Sequence, residues 1–181
     1  LEAAVDETVA ALVLEPIKGE AGVLELPEGY LQAAREITAR HGALLIIDEI
    51  QTGAGRTGAW FGFQHAGITP DAITVAKGIN SGYVPIGGVI ISNPIADFFD
   101  DKFYPGGLTY SGHPLACASA VESINIFHEE RVLDRATAVG VEVFGPELGA
   151  IADRHPSVGE VRGLAAFWAI ELVRDRGTRE M

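Results

Sequence analysis

Three short apolar runs in this chain each stop at a charged residue. Residues 9–14 (VAALVL) end at Glu15, residues 43–47 (ALLII) at Asp48, and residues 72–76 (AITVA) at Lys77. None alternates apolar with polar residues, which is the pattern of strands buried on both faces. Between the first two lies PEGYLQAAREITARH (27–41), which predicts a helix. Pro27 suits its first turn, Leu31, Ala34 and Ile37 form an apolar stripe, and Gly42 is placed as a C-terminal cap. A fourth run, GVII, follows at 88–91. This order predicts an α/β fold: a mostly parallel sheet with helices on both faces.

In open parallel sheets, ligands collect beyond the carboxyl ends of the strands. Parallel pairing would bring Glu15, Asp48 and Lys77 to one such edge. A charge at the end of a buried strand is costly unless something pairs with it. One such residue says little, whereas three define a candidate site.

The remainder of the chain has a different texture. Residues 59–67 read as a short helix or an irregular aromatic segment, and residues 114–138 as long helical sequence. VGEVRGLAAFWAIEL (158–172) holds two strand-like runs around Arg162-Gly163. The change near residue 130 suggests a large domain over 1–130 and the start of a smaller α+β domain over 131–181. The chain starts close to a strand and stops at RDRGTREM without a closing element, so it is read as an internal part of a longer protein.

Composition narrows the function. Thirteen Lys and Arg against 25 Asp and Glu give a net charge of −12, with no basic cluster, which argues against nucleic-acid binding. No apolar run reaches the length of a membrane span, and LEAAVDET lacks the basic start of a secretion signal. Cys117 is the only cysteine, so no internal disulfide forms and a reducing, cytoplasmic setting fits. Among the small residues of PLACASAV it reads as a packed core thiol. The five histidines are scattered, and no metal is assigned.

IIDEIQTGAGRTG (46–58) admits three readings. Gly53 to Gly58 is a literal G-x-G-x-x-G, but five residues separate it from its strand, and AWFGF after Gly58 is a poor helix start. Asp71, 18 residues after Gly53, precedes its strand, where a ribose-binding acid would end one. LLIIDE resembles the acidic strand of a P-loop ATPase, yet no G-x-x-x-x-G-K-[ST] exists in the chain. The third reading makes Asp48 the partner of a buried cation and Lys77 a nucleophilic amine. Partial burial disfavours the charged form of a lysine and suits it to Schiff-base chemistry. Pyridoxal phosphate needs such an amine for its aldehyde, a carboxylate for its ring nitrogen, and a phosphate cradle. GGLTYSGHP (106–114) offers glycine backbone and two hydroxyls just before a helix, an adequate anion site.

With these residues in place the chain resembles the class III pyridoxal-phosphate-dependent aminotransferases of fold type I. The matching segments are LVLEPIKGEAG (12–22), ALLIIDEIQTGAGRTG (43–58), PDAITVAKGINSGYVPIGGVIIS (70–92) and GGLTYSGHPLACASAVE (106–122), with VGEVRGLAAFWAIEL looser. The 29 residues from Asp48 to Lys77 match the family spacing.

The resemblance implies roles. Lys77 matches the lysine that carries the cofactor as a Schiff base, and Asp48 the aspartate at the pyridinium nitrogen. Gln51 matches the contact to the ring hydroxyl, Ile50 the aliphatic side chain on one ring face, and Thr109 the threonine reaching the cofactor phosphate of a neighbouring subunit. That implies a homodimer with shared active sites. Glu20 matches a glutamate at the substrate mouth, Glu15 supports the site without touching ligand, Ser111 is placed to cap the next helix, and Arg56 is read as structural.

The implied activity is ping-pong transfer of an amino group from an amino acid, omega-amino acid or amine to a keto acid such as pyruvate or 2-oxoglutarate. YPGGLTYSGHPLACA is similar to the omega-amino-acid:pyruvate and taurine:pyruvate members. Ala54, His113 and the Ala165-Ala166 pair depart from common family patterns. The family's upstream glycine/serine phosphate loop, its aromatic ring cover and its downstream substrate arginine have no match in these residues, so the chain alone is expected to be inactive. Pyridoxal-phosphate decarboxylases and aminomutases share every motif quoted, and a non-catalytic subunit is the rival of a different class.

Overall fold

The computed structural model describes residues 1–180. In chain order its elements are β1 (Ala11–Leu14), β2 (Ile17–Lys18), β3 (Leu24–Glu25), α1 (Tyr30–His41), β4 (Leu44–Asp48), β5 (Ala72–Val75), β6 (Gly88–Ile91) and α2 (Asn93–Phe98). α3 (Pro114–Glu129), α4 (Val132–Val139), α5 (Gly145–Arg154), β7 (Val158–Leu164) and β8 (Phe167–Leu172) complete it. β1, β4 and β5 pair in parallel and β6 joins antiparallel, in the order β1-β4-β5-β6. The fold is α/β with a mostly parallel sheet, as the apolar runs predict. Among the described residues no helix is long and apolar enough to cross a membrane.

The strand pleat decides which half of each run is buried. Leu45 and Ile47 of β4 are fully buried and pack with Ile73 and Val75 of β5 beneath Leu31 and Ala34 of α1. Burying such a side chain is worth about 1.5–3 kcal/mol, so this face holds the sheet to α1. On the other face Leu44 is 39% exposed and Val13 of β1 59% exposed.

Gly42, at φ 70°, closes α1 by donating its N–H to Thr38, which is the predicted cap. Pro27 is not in the first turn. It lies before Gly29, and its carbonyl accepts the N–H of Tyr30. Asp71 locks the amino edge of the sheet. Its Oδ2 accepts from Arg35 Nη1 and from the Leu45 N–H, each at 2.7 Å, a structural duty that occupies this oxygen.

The helical stretch after Pro114 breaks at Arg131, whose φ of 52° ends α3 and starts α4. Of the two readings of 59–67, the structure shows the short helix, a 3₁₀ segment over Gly62–Ala66. The strands of the 158–172 hairpin meet at Ala165-Ala166, while Arg162 and Gly163 lie inside β7, which corrects the sequence reading. Gly163 is there for close approach: a Cβ on it would fall 2.5 Å from the Trp168 ring. Cys117 is exposed, contrary to expectation. The buried stripe of α3 is Ala116, Ala120 and Ser123, and Cys117 sits one position off it.

Candidate active site

The parallel register brings the three strand-end charges to one edge. β1 pairs Leu14 with Ile47, and β4 pairs Asp48 with Thr74. Asp48 therefore ends β4 beside Glu15, which follows β1, and Lys77, which lies two residues past β5. Asp48 Oδ1 accepts the Ile50 N–H at 2.9 Å. Among the described residues no protein donor reaches its second oxygen, which is left to meet a ligand.

Lys77 opens a 3₁₀ turn (Lys77–Asn80) at φ 44°, a left-handed conformation rarely adopted by a side chain larger than glycine. Such strain costs about 1–3 kcal/mol and persists where surroundings over-determine it, commonly at functional sites. Lys77 lines two adjoining cavities, of about 100 and 480 Å³, which share Arg56, Lys77 and Gly78. Ile50, Gln51 and Phe167 line the smaller one. Lys77 itself is exposed, not partly desolvated as the sequence predicts. Turning outward at φ 44° takes it away from the apolar face that a straight continuation of β5 would share.

Gln51 meets the loop at 19–22. Its Nε2 donates to Glu20 Oε1 at 3.2 Å, and a Cβ on Gly19 would fall 2.6 Å from its side chain. Glu15 accepts the Gly19 N–H at 3.0 Å, so it supports this loop. Thr109 is exposed and lines neither Lys77 cavity. Ser111 does not cap α3. Its hydroxyl accepts the Leu108 N–H at 3.0 Å, and α3 has no side-chain cap at His113.

A further cavity of about 250 Å³ lies behind the Lys77 turn, walled by Trp60, Val75, Ile79, Ile124 and Phe127. Its ionisable groups are Glu49 and His128, and it offers no amine.

Glu49 carries no role in the sequence reading and proves to be the organiser of the loop after β4. It is 1% exposed. Its Oε2 accepts from the Thr52 hydroxyl at 2.5 Å and the Gly62 N–H at 2.8 Å, while Oε1 accepts from the Phe63 N–H at 2.8 Å. Burial pushes its carboxyl above the usual range, against the pull of those three donors. A raised folded-state value means a stabilising contribution present below pH about 4.5 and lost as pH rises through the folded value. Glu49→Gln keeps one acceptor for three donors and should destabilise the protein by about 1–3 kcal/mol. The deficit should be largest in acid and narrow towards neutrality, because only the wild type titrates here. Urea unfolding of both proteins at pH 4 and pH 7 checks it; a deficit that widens with pH would refute the assignment.

A sequence model of the family described as aminotransferase class-III matches residues 1–180. The chain belongs to the class III aminotransferase family. It is 44% identical over 177 residues to the putrescine–pyruvate aminotransferase of Pseudomonas aeruginosa, covering 97% of this chain and 38% of that one. Among solved structures it is similar to an (S)-enantioselective omega-transaminase from Thermomicrobium roseum, at 44% identity and a TM-score of 0.88, covering 96% of this chain and 39% of that one. It is also similar to a taurine:2-oxoglutarate aminotransferase from Bifidobacterium kashiwanohense, solved in complex with PLP and glutamate. There the identity is 41%, the TM-score 0.89, and the coverage 94% of this chain and 38% of that one. The chain thus spans about two fifths of the length of the curated relatives it matches.

Class III aminotransferases are pyridoxal-phosphate dependent. The side chains at the sheet edge suit that group chemically: an amine for an aldehyde, a carboxylate with a free oxygen for a ring nitrogen, an amide for a ring hydroxyl and an aliphatic face for a ring.

Proposed function

We propose that the protein carrying this chain is a pyridoxal-phosphate-dependent aminotransferase. It moves an amino group from an amino acid, omega-amino acid or amine to a keto acid such as pyruvate or 2-oxoglutarate. The observation that carries this reading is the convergence of Lys77, Ile50 and Gln51 on one cavity, with Asp48 ending the strand beside it. The relatives named above carry different donors in their names, putrescine and taurine among them, so the donor class is left broad.

When bound, the cofactor supplies an aldehyde that takes amines and a protonated ring that draws electrons from the amine-bearing carbon. Lys77 Nζ is the amine that would hold that aldehyde and give way to an amino donor. Once released, Lys77 Nζ would be the base that takes the proton from the donor's amine-bearing carbon and the acid that delivers it to the former aldehyde carbon across the nitrogen. The Asp48 carboxylate keeps the ring nitrogen protonated through its free oxygen. Gln51 has a second amide hydrogen for the ring hydroxyl, and Ile50 packs on the ring face and excludes water. Glu20 stands at the substrate mouth.

We further read Thr109 as reaching the cofactor phosphate of a second copy, in a cytoplasmic homodimer. In support, Thr109 is flanked by Phe103, Leu108 and Tyr110, each at least 82% exposed, an apolar surface of the kind that partners cover. By itself the chain is expected to be inactive.

The test is trapping: pyridoxal phosphate is added to the full-length protein, the mixture is reduced with borohydride, and the modified peptide is mapped by mass. A pyridoxyl group on Lys77 is expected. A folded protein with no adduct there would overturn the reading.

A further inference from the structure

Besides Phe167, which lines the smaller Lys77 cavity, the β7–β8 hairpin reaches the candidate site through a half-buried charge. Arg162, in β7, has a side chain only 17% exposed. Its Nη1 donates to Glu160 Oε2 at 2.9 Å and Glu171 Oε2 at 2.8 Å, so the hairpin itself fixes the guanidinium. The remaining reach of the fork goes 140 residues back along the chain. Nε donates to the Gly22 carbonyl at 2.7 Å. Gly22 suits this contact doubly: its φ is +107°, and a Cβ on it would fall 2.8 Å from Arg162 Nη2.

Gly22 closes a tight loop, with its N–H and that of Val23 both donating to the Gly19 carbonyl at 2.9 and 3.1 Å. Inside that loop sits Glu20, whose carboxylate accepts from Gln51. The path runs from the hairpin through Arg162 to the Gly22 carbonyl, along the loop backbone to Glu20, and by a hydrogen bond to Gln51. An arginine fork already pinned by two carboxylates is preorganised, so little freedom is lost in gripping a third group.

We propose that Arg162 is a positioning residue: it latches the 19–22 loop to the hairpin, so that Glu20 holds the Gln51 amide in the orientation the ligand needs. This rests on the functional reading above, since it is the cofactor that Gln51 meets. Arg179 provides an internal control. It bridges the same two carboxylates, at 2.8 Å to Glu160 and 2.5 Å to Glu171, and among the described residues makes no hydrogen bond to the loop.

The experiment compares Arg162→Ala, Arg162→Lys and Arg179→Ala in the full-length protein by two readouts. Hydrogen exchange without cofactor should show the Gly22 and Val23 amides exchanging at least about tenfold faster in Arg162→Ala and unchanged in Arg179→Ala. Titration with pyridoxal phosphate should then show about tenfold weaker binding in Arg162→Ala only, because misplacing an orienting group by about 1 Å costs on the order of 10–100-fold. A Gln51→Ala background should abolish that second difference. Should Arg162→Ala fail to fold, Arg162→Lys is measured in its place. It keeps the charge between Glu160 and Glu171 but loses the planar fork to Gly22, and it should show the same two changes.

Unchanged exchange at Gly22 and Val23 would overturn the latch. Faster exchange with wild-type cofactor affinity would overturn its positioning role, as would equal losses in Arg179→Ala. A wild-type protein that binds no pyridoxal phosphate would refute the functional reading, while the exchange result would still report on the latch alone.

Discussion

Lys77→Ala is expected to lower turnover of an amino donor by at least about 10³-fold, since it removes the group that accepts and returns the proton. The backbone should tolerate the change. Lys77 occupies φ 44°, and alanine meets the same left-handed penalty as lysine, so the turn is no more strained after substitution than before. The side chain is exposed and makes no hydrogen bond among the described residues, so little packing is lost. Thermal unfolding within a few degrees of wild type would establish that the loss is chemical.

Lys77→Arg sharpens the test. It restores the positive charge at the same position, but a guanidinium stays protonated and cannot serve as amine or base. Both variants should be equally inactive in a coupled assay with an amine and pyruvate or 2-oxoglutarate. If arginine restored activity, the site would need a charge and not an amine, and the Schiff-base role would fall. Full turnover in the alanine variant would sink the catalytic assignment of Lys77.

Much of the site is legible in the sequence because strand ends are. An apolar run that halts at a charge gives both the strand and the edge, and parallel pairing then places Glu15, Asp48 and Lys77 together with no further information. Asp48 and Glu49 mark the limit of that logic. They are adjacent acids, yet the chain turns between them: Asp48 keeps one carboxylate oxygen free, while Glu49 is buried under three donors supplied by Thr52, Gly62 and Phe63. Two of those donors are backbone groups more than twelve residues downstream, and no local pattern announces them. The left-handed turn at Lys77 and the reach of Arg162 across 140 residues are hidden for the same reason: each is set by tertiary contacts. The exposure of Cys117 escapes the sequence because a helix of alanine, cysteine and serine has no strong apolar stripe, so small shifts of register decide which residue faces inward.

Asp48→Asn is the second large effect and the cleaner one. Asparagine is isosteric and retains an oxygen for the Ile50 N–H, so the turn that carries Ile50 and Gln51 should stay as it is. What disappears is the negative charge, and with it the means of keeping a ring nitrogen protonated. Removing a preorganised electrostatic partner of developing charge costs on the order of 10²–10³ in turnover. The loss should fall on kcat more than on KM, because the carboxylate acts on the cofactor ring and the substrate is bound elsewhere. Folding stability should move by less than about 1 kcal/mol, since the hydrogen bond to Ile50 survives the exchange. Borohydride trapping separates this role from that of Lys77: the Asp48→Asn protein should still form the Lys77 adduct, because the amine is untouched, while turning over slowly. A variant that traps normally and keeps kcat within about threefold of wild type, against the 10²–10³ expected, would mean that Asp48 only shapes the turn. The free carboxylate oxygen would then have no part in the chemistry.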